Sequence, residues 1–304
     1  MEIFELSNYK EIRFKTGIAL GNFDGVHLGH QKLIKSMVRQ SKENNLVPSL
    51  LLFKKHTKSV TKSQKQKLIT NIDQKIEIAK NLGVEIIYLI DFDEKLMKLT
   101  GEEFFKDIVL GKTNSKLIVV GFDYRFGYKA SGDSNYLIEL GKKYDIKVEV
   151  LSPVYSKEEI ISSSIIRKLI GLGDIKKATS VLGRKYSLIG KVIPGDGRGT
   201  NLGFPTANIE LIDDYVIPKN GVYMTNTIVD NEKYISATNI GFNPTFNNKN
   251  LKIETHILNF NGNIYGKTIE IQFIDFIRDD IKFNSINKLI EQMRLDIEWI
   301  KKQS

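Results

Sequence analysis

Two histidines in a glycine-rich stretch near the amino terminus are the first residues of this chain whose types and spacing suit chemistry. The stretch reads Gly21-Asn22-Phe23-Asp24-Gly25-Val26-His27-Leu28-Gly29-His30. It follows a short apolar run and precedes apolar residues at helical spacing, which predicts a strand, a turn and a helix. Such a junction presents free backbone N–H groups and the positive end of a helix to an anion. His27 and His30, one helical turn apart, would stabilise charge that grows on a phosphate.

Two simpler interpretations of these histidines stay open on the residues alone. The pair could ligate a metal, although the zincin pattern His-Glu-x-x-His is absent and no third ligand stands out nearby. The histidines could also be ordinary polar groups at a helix start. The stretch matches neither the P-loop nor the dinucleotide-binding fingerprint. We therefore favour a nucleotidyl-transfer site, in which the turn binds the α-phosphate of a nucleotide.

The elements that must position this turn alternate between strand and helix patterns. Apolar runs predict strands at residues 17–20, 47–53, 84–90, 116–120 and 147–151. Alternation of this kind predicts a parallel sheet with right-handed crossovers, whose ligands bind at the carboxyl ends of the strands. A second glycine-rich turn, at 121–127, contains Asp123 and is predicted at the same edge as the turn at 21–30.

Two further segments of the first half carry polar residues that suit a phosphate site. Ile161-Ser162-Ser163-Ser164-Ile165-Ile166-Arg167 opens a helix pattern, where hydroxyls are a plain capping signal. An arginine one turn later favours a clamp on the β- and γ-phosphates. Lys54-Lys55-His56 begins a lysine-rich stretch, which is either a solvated surface or a flap over the phosphates with His56 near the nucleotide.

Helical periodicity disappears after Leu182-Gly183 and returns only at the end of the chain. Strand patterns occupy residues 187–193, 221–229, 233–240, 251–260 and 267–277, with turn signals between them. Antiparallel strands at this spacing predict a small β-barrel or sandwich. A final helix pattern, with Ile286, Leu289, Met293 and Ile297 on one face, is predicted to pack across it.

The chemistry of the second half has two centres. Residues 190–208 contain many glycines, which allow a backbone to approach a phosphate, and Thr206 and Asn208 offer oxygens for a cation such as Mg²⁺. By spacing alone this block is equally typical of a glycine-rich hairpin. Glu254 alternates with apolar residues on a strand and could remove a proton from a substrate hydroxyl, although most such carboxylates only face solvent. We interpret His256, on the same face, as structural.

Composition limits the function classes further. The chain has 304 residues, a formal net charge of +9 and no cysteine, so disulfide and thiolate chemistry are excluded. Its lysines are scattered among acids, and we predict no nucleic-acid function. No apolar run is long enough to span a bilayer, and the start of the chain does not resemble a signal peptide. We therefore expect a cytoplasmic protein without a membrane partner.

Taken together, these segments resemble the bacterial bifunctional FAD synthetases, which join a riboflavin kinase to an FMN adenylyltransferase. The resemblance rests on the stretches at 21–30, 121–127 and 161–167 in the first half. In the second half it rests on LGRKY (182–186), GKVIPGDGRGTNLGFPTANI (190–209), NIGFNPTF (239–246) and IETHILNF (253–260). It implies a Rossmann-like nucleotidyltransferase domain with a parallel sheet and helices at 1–182. A six-stranded antiparallel riboflavin-kinase β-barrel with a C-terminal helix would follow at 183–304.

The resemblance also implies two magnesium-dependent reactions. ATP would phosphorylate riboflavin to FMN in the second domain, and the first domain would join FMN to ATP, giving FAD and pyrophosphate. Glu254 matches the catalytic base of the kinase, and Thr206 and Asn208 match its Mg²⁺ contacts. His27, His30 and Arg167 match the catalytic groups of the adenylyltransferase. The implied partners are ATP, riboflavin and FMN, in a monomer or weak homo-oligomer.

The implied binding residues form two sets. Those of the adenylyltransferase are Gly21, Asn22, Phe23, Asp24, Gly25, His27, His30, Asp123, Ser163, Ser164 and Arg167. Those of the kinase are Gly190, Lys191, Gly195, Gly197, Arg198, Gly203, Pro205, Thr206, Asn208 and Arg278.

The loop after the second strand departs from the family's pattern. Phe53-Lys54-Lys55-His56-Thr57 stands where Phe-Asp-Pro-His-Pro is usual, and loss of both prolines should loosen the loop. This departure motivates an alternative hypothesis, in which only the kinase is active. A third hypothesis is a flavin- or nucleotide-binding regulator without turnover, motivated by the basic surface and two ligand-binding folds.

Overall fold

The chain forms two compact units in the computed structural model. The described residues are 1–7, 14–54, 66–195, 197, 199, 202–243 and 250–303. The units are Met1–Ser163 and Ser164–Ser304. Residues 164–182, which the predicted boundary places in the first domain, belong here to the second unit. The domain boundary after Leu182 stays a prediction.

The first unit contains a six-stranded sheet in which every pair of neighbours is parallel. Its strands are β1 (Glu2–Glu5), β2 (Thr16–Leu20), β3 (Val47–Phe53), β4 (Ile86–Ile90), β5 (Ser115–Gly121) and β6 (Lys147–Leu151), in the order β1-β4-β3-β2-β5-β6. Strands β2 and β3 lie at the centre, and their near-continuous apolar sequences are those of strands covered on both faces. The predicted parallel sheet is therefore confirmed.

Helices cover both faces of this sheet. They are α1 (Leu28–Glu43), α2 (Ile72–Asn81), α3 (Glu94–Lys98), α4 (Gly101–Glu103), a π-helix (Phe104–Lys112), a 3-10 helix (Tyr128–Ala130) and α5 (Ser134–Lys143). Alternate residues of β5 enter opposite cores, because side chains of a strand point to alternate faces. Ile118 packs in the cluster that contains Phe105, whereas Val119 packs with Met37 of α1. A short hairpin, β7 (Tyr155–Ser156) and β8 (Glu159–Ile160), follows β6.

The second unit is built around a closed antiparallel barrel. It begins with helices α6 (Ser163–Gly171) and α7 (Ile175–Leu182). The barrel strands are β9 (Ser187–Ile193), β10 (Ala207–Leu211), β11 (Gly221–Val229), β12 (Glu232–Asn243), β13 (Asn250–Ile257) and β14 (Thr268–Arg278), in the order β10-β13-β12-β11-β14-β9. Helix α8 (Ile286–Gln303) ends the unit. The six-stranded barrel with a C-terminal helix is thus confirmed.

A hydroxyl ladder fills part of the barrel interior. It consists of Thr225, Thr227, Ser236, Thr238 and Thr255, all with no exposed area. The Oγ1 atom of Thr238 donates to Thr255 Oγ1 at 2.9 Å and lies 2.7 Å from that of Thr225. These hydrogen bonds satisfy polar groups that would be costly to bury alone.

The residues between the members of the hydroxyl ladder face the other side of the barrel wall. Ile300 of α8 packs there in a cluster with Met224 of β11 and Ala237 of β12. Glu254 and Asn239 belong to the same outward set, because each is adjacent in sequence to an inward-facing threonine. The candidate catalytic carboxylate therefore lies on the outer face of the barrel.

Candidate active sites

The turn after β2 holds its shape through strained backbone. Phe23 and Val26 have φ angles of 47° and 35°, and Gly25 has a φ of 80°. Left-handed backbone is unfavourable for large or β-branched residues and costs about 1–3 kcal/mol at each position. Both side chains are fully buried, at 0% and 1% exposure, and this packing holds the strained conformation.

Asp24 fastens this turn to a segment that is distant in sequence. Its buried carboxylate accepts hydrogen bonds from the backbone N–H groups of Ile69 at 3.1 Å and Thr70 at 3.2 Å. The N–H of Gly25 donates to Thr70 Oγ1 at 2.9 Å, and Ser163 Oγ donates to the Asp24 carbonyl at 2.8 Å. Both residues therefore shape the turn. Their implied role as phosphate contacts stays a prediction.

His27 and His30 form a stacked pair at the positive end of α1. His27 is the N-cap residue of this helix, and its Nδ1 atom accepts the His30 N–H at 3.3 Å. The ring centroids are 3.8 Å apart, with an angle of 16° between the planes. A side chain at Gly29 would place its Cβ 3.2 Å from the His27 ring, so glycine leaves room for the pair. The two imidazoles and the helix end can together donate to one anion.

The second turn of the first unit follows β5, the neighbour of β2 in the sheet. Stacked rings support it: Phe126 lies 5.7 Å from Tyr124 and 5.9 Å from Tyr136 between centroids. Burial raises the pKa of the Tyr124 phenol above its usual value. Asp123 is exposed at this edge of the sheet. Both glycine-rich turns therefore follow the carboxyl ends of adjacent parallel strands, where ligands of such sheets bind.

Lys54, the first residue of the altered loop, is engaged in ion pairs. Its Nζ atom lies 3.0 Å from a carboxylate oxygen of Glu5 and 3.4 Å from one of Asp91. The hydrogen bond with Glu5, followed by that with Asp91, raises the pKa of Lys54. Lys55 and His56 lie outside the described residues. The positive charge of Lys54 is thus paired with carboxylates of the protein at the end of β3.

The remaining predicted residues of this site occupy two places. Gly21 and Asn22 directly follow β2, and a Cβ at Gly21 would lie 3.1 Å from the Phe23 ring. Ser164 and Arg167 lie on α6 and belong to the second unit. Their predicted role as a phosphate clamp that faces the histidines stays a prediction.

One row of directly opposite residues crosses five strands of the barrel. In order around the wall it contains Asn208, Glu254, Asn239, Val222 and Arg278. Directly opposite residues on antiparallel strands have Cβ atoms about 5 Å apart. The strand register therefore brings together residues that are far apart in sequence, with Glu254 between the two asparagines.

This row of five residues, called the catalytic row after its candidate base Glu254, lines a cavity of about 300 Å³ on the outer face of the barrel. Lys252 and Thr206 contribute further polar groups, and α8 contributes apolar side chains, among them Leu289, Met293 and Ile297. The Nζ atom of Lys252 lies 3.1 Å from Glu254 Oε1. The Glu254 side chain is 27% exposed, so the carboxylate is accessible from the cavity.

Thr206 and Asn208 lie against glycines that leave no room for side chains. A Cβ at Gly195 would meet the Asn208 amide at 1.9 Å, and one at Gly199 would lie 3.1 Å from Thr206 Oγ1. Among the described residues, no group of three or more His, Cys, Asp or Glu could hold a metal ion. The hydroxyl and amide oxygens nevertheless fit Mg²⁺, which keeps several waters and uses few protein ligands together with substrate phosphates.

Arg278, at the end of the catalytic row, is held by α8. Its guanidinium donates to both carboxylate oxygens of Asp296, with distances from 2.8 to 3.1 Å, and Asp296 is 5% exposed. A bidentate ion pair of this kind fixes the orientation of the guanidinium group. The contact therefore connects α8 to the barrel wall beside the cavity.

Of the other predicted kinase residues, some line the cavity and others lie away from it. Gly197 lines the cavity, whereas Gly203 has a φ of 85° in the turn that leads to β10. The carbonyl oxygen of Pro205 lies 2.8 Å from His256 Nδ1. Gly190 packs against β10, and Lys191 is exposed on β9; neither is among the described residues that line the cavity. Arg198 lies outside the described residues.

Three residues around Glu254 were missed by the sequence reasoning. Lys252 could have been found, because it precedes Glu254 by two residues and so shares its face of the strand. Asn239 carries no such signal, since only the pairing of β12 with β13 places it beside Glu254. Asp296 is one of several acids on α8, and its contact with Arg278 depends on where that helix lies.

Comparisons with known proteins agree with this division into two sites. A family model described as FAD synthetase matches residues 10–165, and one described as riboflavin kinase matches residues 182–304. A bifunctional riboflavin kinase/FMN adenylyltransferase from Buchnera aphidicola is 38% identical over 98% of this chain and 96% of its own length. The protein of that description from Bacillus subtilis is 37% identical, with coverages of 94% and 92%.

A solved structure supports the fold over the full length. A protein from Streptococcus pneumoniae, described as a macrolide-efflux protein, is 31% identical and aligns over 99% of each chain with a TM-score of 0.91. In the described part of the present chain, no helix is long and apolar enough to cross a membrane.

Proposed function

This chain belongs to the family of bifunctional riboflavin kinase/FMN adenylyltransferases, and we propose from that premise that it makes FMN and FAD in two ATP-dependent steps. The barrel transfers the γ-phosphoryl group of ATP to riboflavin. The parallel-sheet unit joins FMN to AMP from a second ATP. The observation that carries the proposal is the catalytic row, in which an accessible carboxylate lies between two asparagines, with phosphate-compatible groups on the side of Asn208.

The kinase step needs a base, because its nucleophile is a neutral hydroxyl. Glu254 takes the proton of the terminal ribityl hydroxyl as the oxygen attacks the γ-phosphorus of ATP. The new O–P bond forms while the bond to the bridging oxygen breaks, and the electron pair leaves with ADP. General-base catalysis of this kind contributes about 10²- to 10⁴-fold to the rate. Thr206 and Asn208 are the residues that would hold Mg²⁺, which offsets charge on the transferring phosphates.

The adenylyltransferase step needs no base, because its nucleophile is already anionic. An oxygen of the FMN phosphate attacks the α-phosphorus of ATP, and pyrophosphate leaves with the electron pair of the broken bond. His27, His30 and the start of α1 donate to the α-phosphate and stabilise the charge that grows there. Gly21, Asn22, Gly25 and Asp123 border the phosphates, and Ser164 and Arg167 bind the β- and γ-phosphates.

We infer the cellular location, the partners and the oligomeric state from the same chemistry. The enzyme works in the cytoplasm, where ATP and riboflavin are its small-molecule partners, as a monomer or weak homo-oligomer. Its positive charge serves anionic substrates, and it binds no nucleic acid or membrane.

One assay tests both activities. The purified chain is incubated with riboflavin, ATP and Mg²⁺, and the flavins are separated by chromatography. FMN should appear first and FAD later, with pyrophosphate released in proportion to FAD. FMN without FAD would support a kinase-only enzyme, in which the altered loop after β3 disables the first unit. No turnover of either flavin would overturn the proposal in favour of a binding protein.

A further inference from the structure

The side-chain oxygen of Asn239 is buried without a hydrogen-bond partner among the described residues. Asn239 lies directly opposite Glu254 and lines the same cavity. The hydroxyls of the ladder on the other face of the wall are, in contrast, paired with one another. Buried polar groups in native proteins are rarely left unpaired, so an acceptor like this one indicates a missing donor.

The order of residues in the catalytic row indicates where that donor comes from. Asn208, next to Glu254 on one side, belongs to the block that suits Mg²⁺ and phosphates. Asn239 is on the opposite side of Glu254, and apolar Val222 follows it. In an in-line transfer the attacking oxygen and the leaving oxygen lie on opposite sides of the γ-phosphorus, so the acceptor enters from the side away from the nucleotide. The side of Asn239 is therefore the side of the acceptor, and Val222 supplies an apolar group there.

We propose that Asn239 is a substrate-positioning residue whose side-chain oxygen accepts a hydrogen bond from the ribityl hydroxyl next to the reacting one. The inference rests on the proposed kinase function and deepens it. The terminal hydroxyl lies at Glu254, and Asn239 is one strand spacing away, within reach of the adjacent hydroxyl of an extended polyol. This contact fixes the terminal oxygen in line with the γ-phosphorus and selects polyol chains over acceptors that lack the second hydroxyl.

The decisive experiment pairs a variant with a substrate analogue. In Asn239→Val the acceptor is gone, and we expect the KM for riboflavin to rise about ten-fold, as loss of one such hydrogen bond predicts. A riboflavin analogue that lacks the hydroxyl next to the terminal one should show the same rise with the natural protein. With Asn239→Val the analogue and riboflavin should behave alike, because both partners of one contact are then absent. Independent, multiplicative effects would overturn the inference.

The thermal stability of the variant distinguishes a positioning role of Asn239 from a merely structural one. Removing an unpaired buried oxygen should leave the Tm of Asn239→Val unchanged or higher, whereas an asparagine that held the barrel together would lower it. Gln272→Val, which removes an amide from β14 without lining the cavity, is the matched control and should leave the KM unchanged. Asn239→Thr, which restores an acceptor oxygen, should recover part of the affinity for riboflavin.

The failures of the two proposals are distinguishable. Absence of FMN formation by the natural protein would refute the kinase function itself. Normal turnover with an unchanged KM in Asn239→Val would refute only the role of Asn239. Should that variant not fold, an unaltered KM of the natural protein for the analogue would equally overturn the role.

Discussion

The two candidate sites, both proposed to bind ATP, are built in opposite ways. The turn after β2 uses main-chain geometry: left-handed residues, a helix start and a carboxylate that fastens one loop to another. The catalytic row uses side chains projected from regular strands, and its geometry follows from strand register alone. The backbone-built site offers donors and suits a nucleophile that is already charged. The strand-built site offers a carboxylate and suits a nucleophile that must first lose a proton.

This difference predicts how each site responds to change. Replacing one side chain of the catalytic row removes one function and leaves the wall intact, because strand hydrogen bonds do not depend on that side chain. Changes at the turn alter the binding geometry together with the local fold, since the strained residues are held there only by their surroundings.

The largest effect is expected for Glu254→Gln. The amide has nearly the shape of the carboxylate but accepts no proton, so FMN formation should fall about 10³-fold. FAD formation from supplied FMN should remain within about two-fold of the natural rate. Chromatography with each flavin supplied separately measures both. Glu270→Gln, the same change on β14, is the control. Equal loss of both activities would contradict the assignment of separate sites.

A reciprocal and smaller effect is expected for the double variant His27→Ala, His30→Ala. Adenylylation of FMN should fall about 10²-fold, because donors to the charge of the transition state are lost while the end of α1 remains. FMN formation from riboflavin should be spared. Pyrophosphate release measures the first activity, and Lys32→Ala, an exposed change on α1, is the control. Undiminished pyrophosphate release would refute the phosphate role of the histidines.

The smallest effect is expected for Asp24→Ala and concerns stability. Two backbone N–H groups would lose their acceptor, which should lower the free energy of unfolding of the first unit by about 2 kcal/mol. The chain has one tryptophan, Trp299 on α8, whose fluorescence reports on the second unit. In urea denaturation, Asp24→Ala should therefore shift the transition measured by circular dichroism but not the transition measured by tryptophan fluorescence.

Glu77→Ala, at an exposed position beyond the first turn of α2, is the control for that experiment and should shift neither transition. If Asp24→Ala left the circular dichroism transition unchanged as well, the role of Asp24 in fastening the turn would be wrong.

Most of the fold was predictable because its elements carry strong periodic signals. Strands β3, β9 and β11 have the bounds that their apolar runs predict. Strand β1 was missed because charges interrupt it at the edge of the sheet, and Ile3 is 47% exposed. Strand β10 was missed because it has only five residues after a glycine-rich block, where local turn signals dominate.

The sites were predictable only as far as local spacing determines contacts. His27 and His30 are one turn apart on a helix, so their pairing follows from the sequence. The hydrogen bonds of Asp24 were not predictable in this way, because its partners Ile69 and Thr70 are about 45 residues away. The contact of Asn239 with the catalytic row depends on the order of strands in the barrel, which no local pattern contains.

The hydroxyl ladder inside the barrel has a consequence for how the kinase site is made. A slip of β13 by one residue would reverse every side chain on that strand, carrying Glu254 into the interior and Thr255 out of it. A carboxylate among buried hydroxyls would be an unpaired charge, so that alternative barrel is disfavoured by several kcal/mol. The threonines thus select the register of assembly: a barrel that closes with its ladder complete also has Glu254, the proposed base, on its outer face.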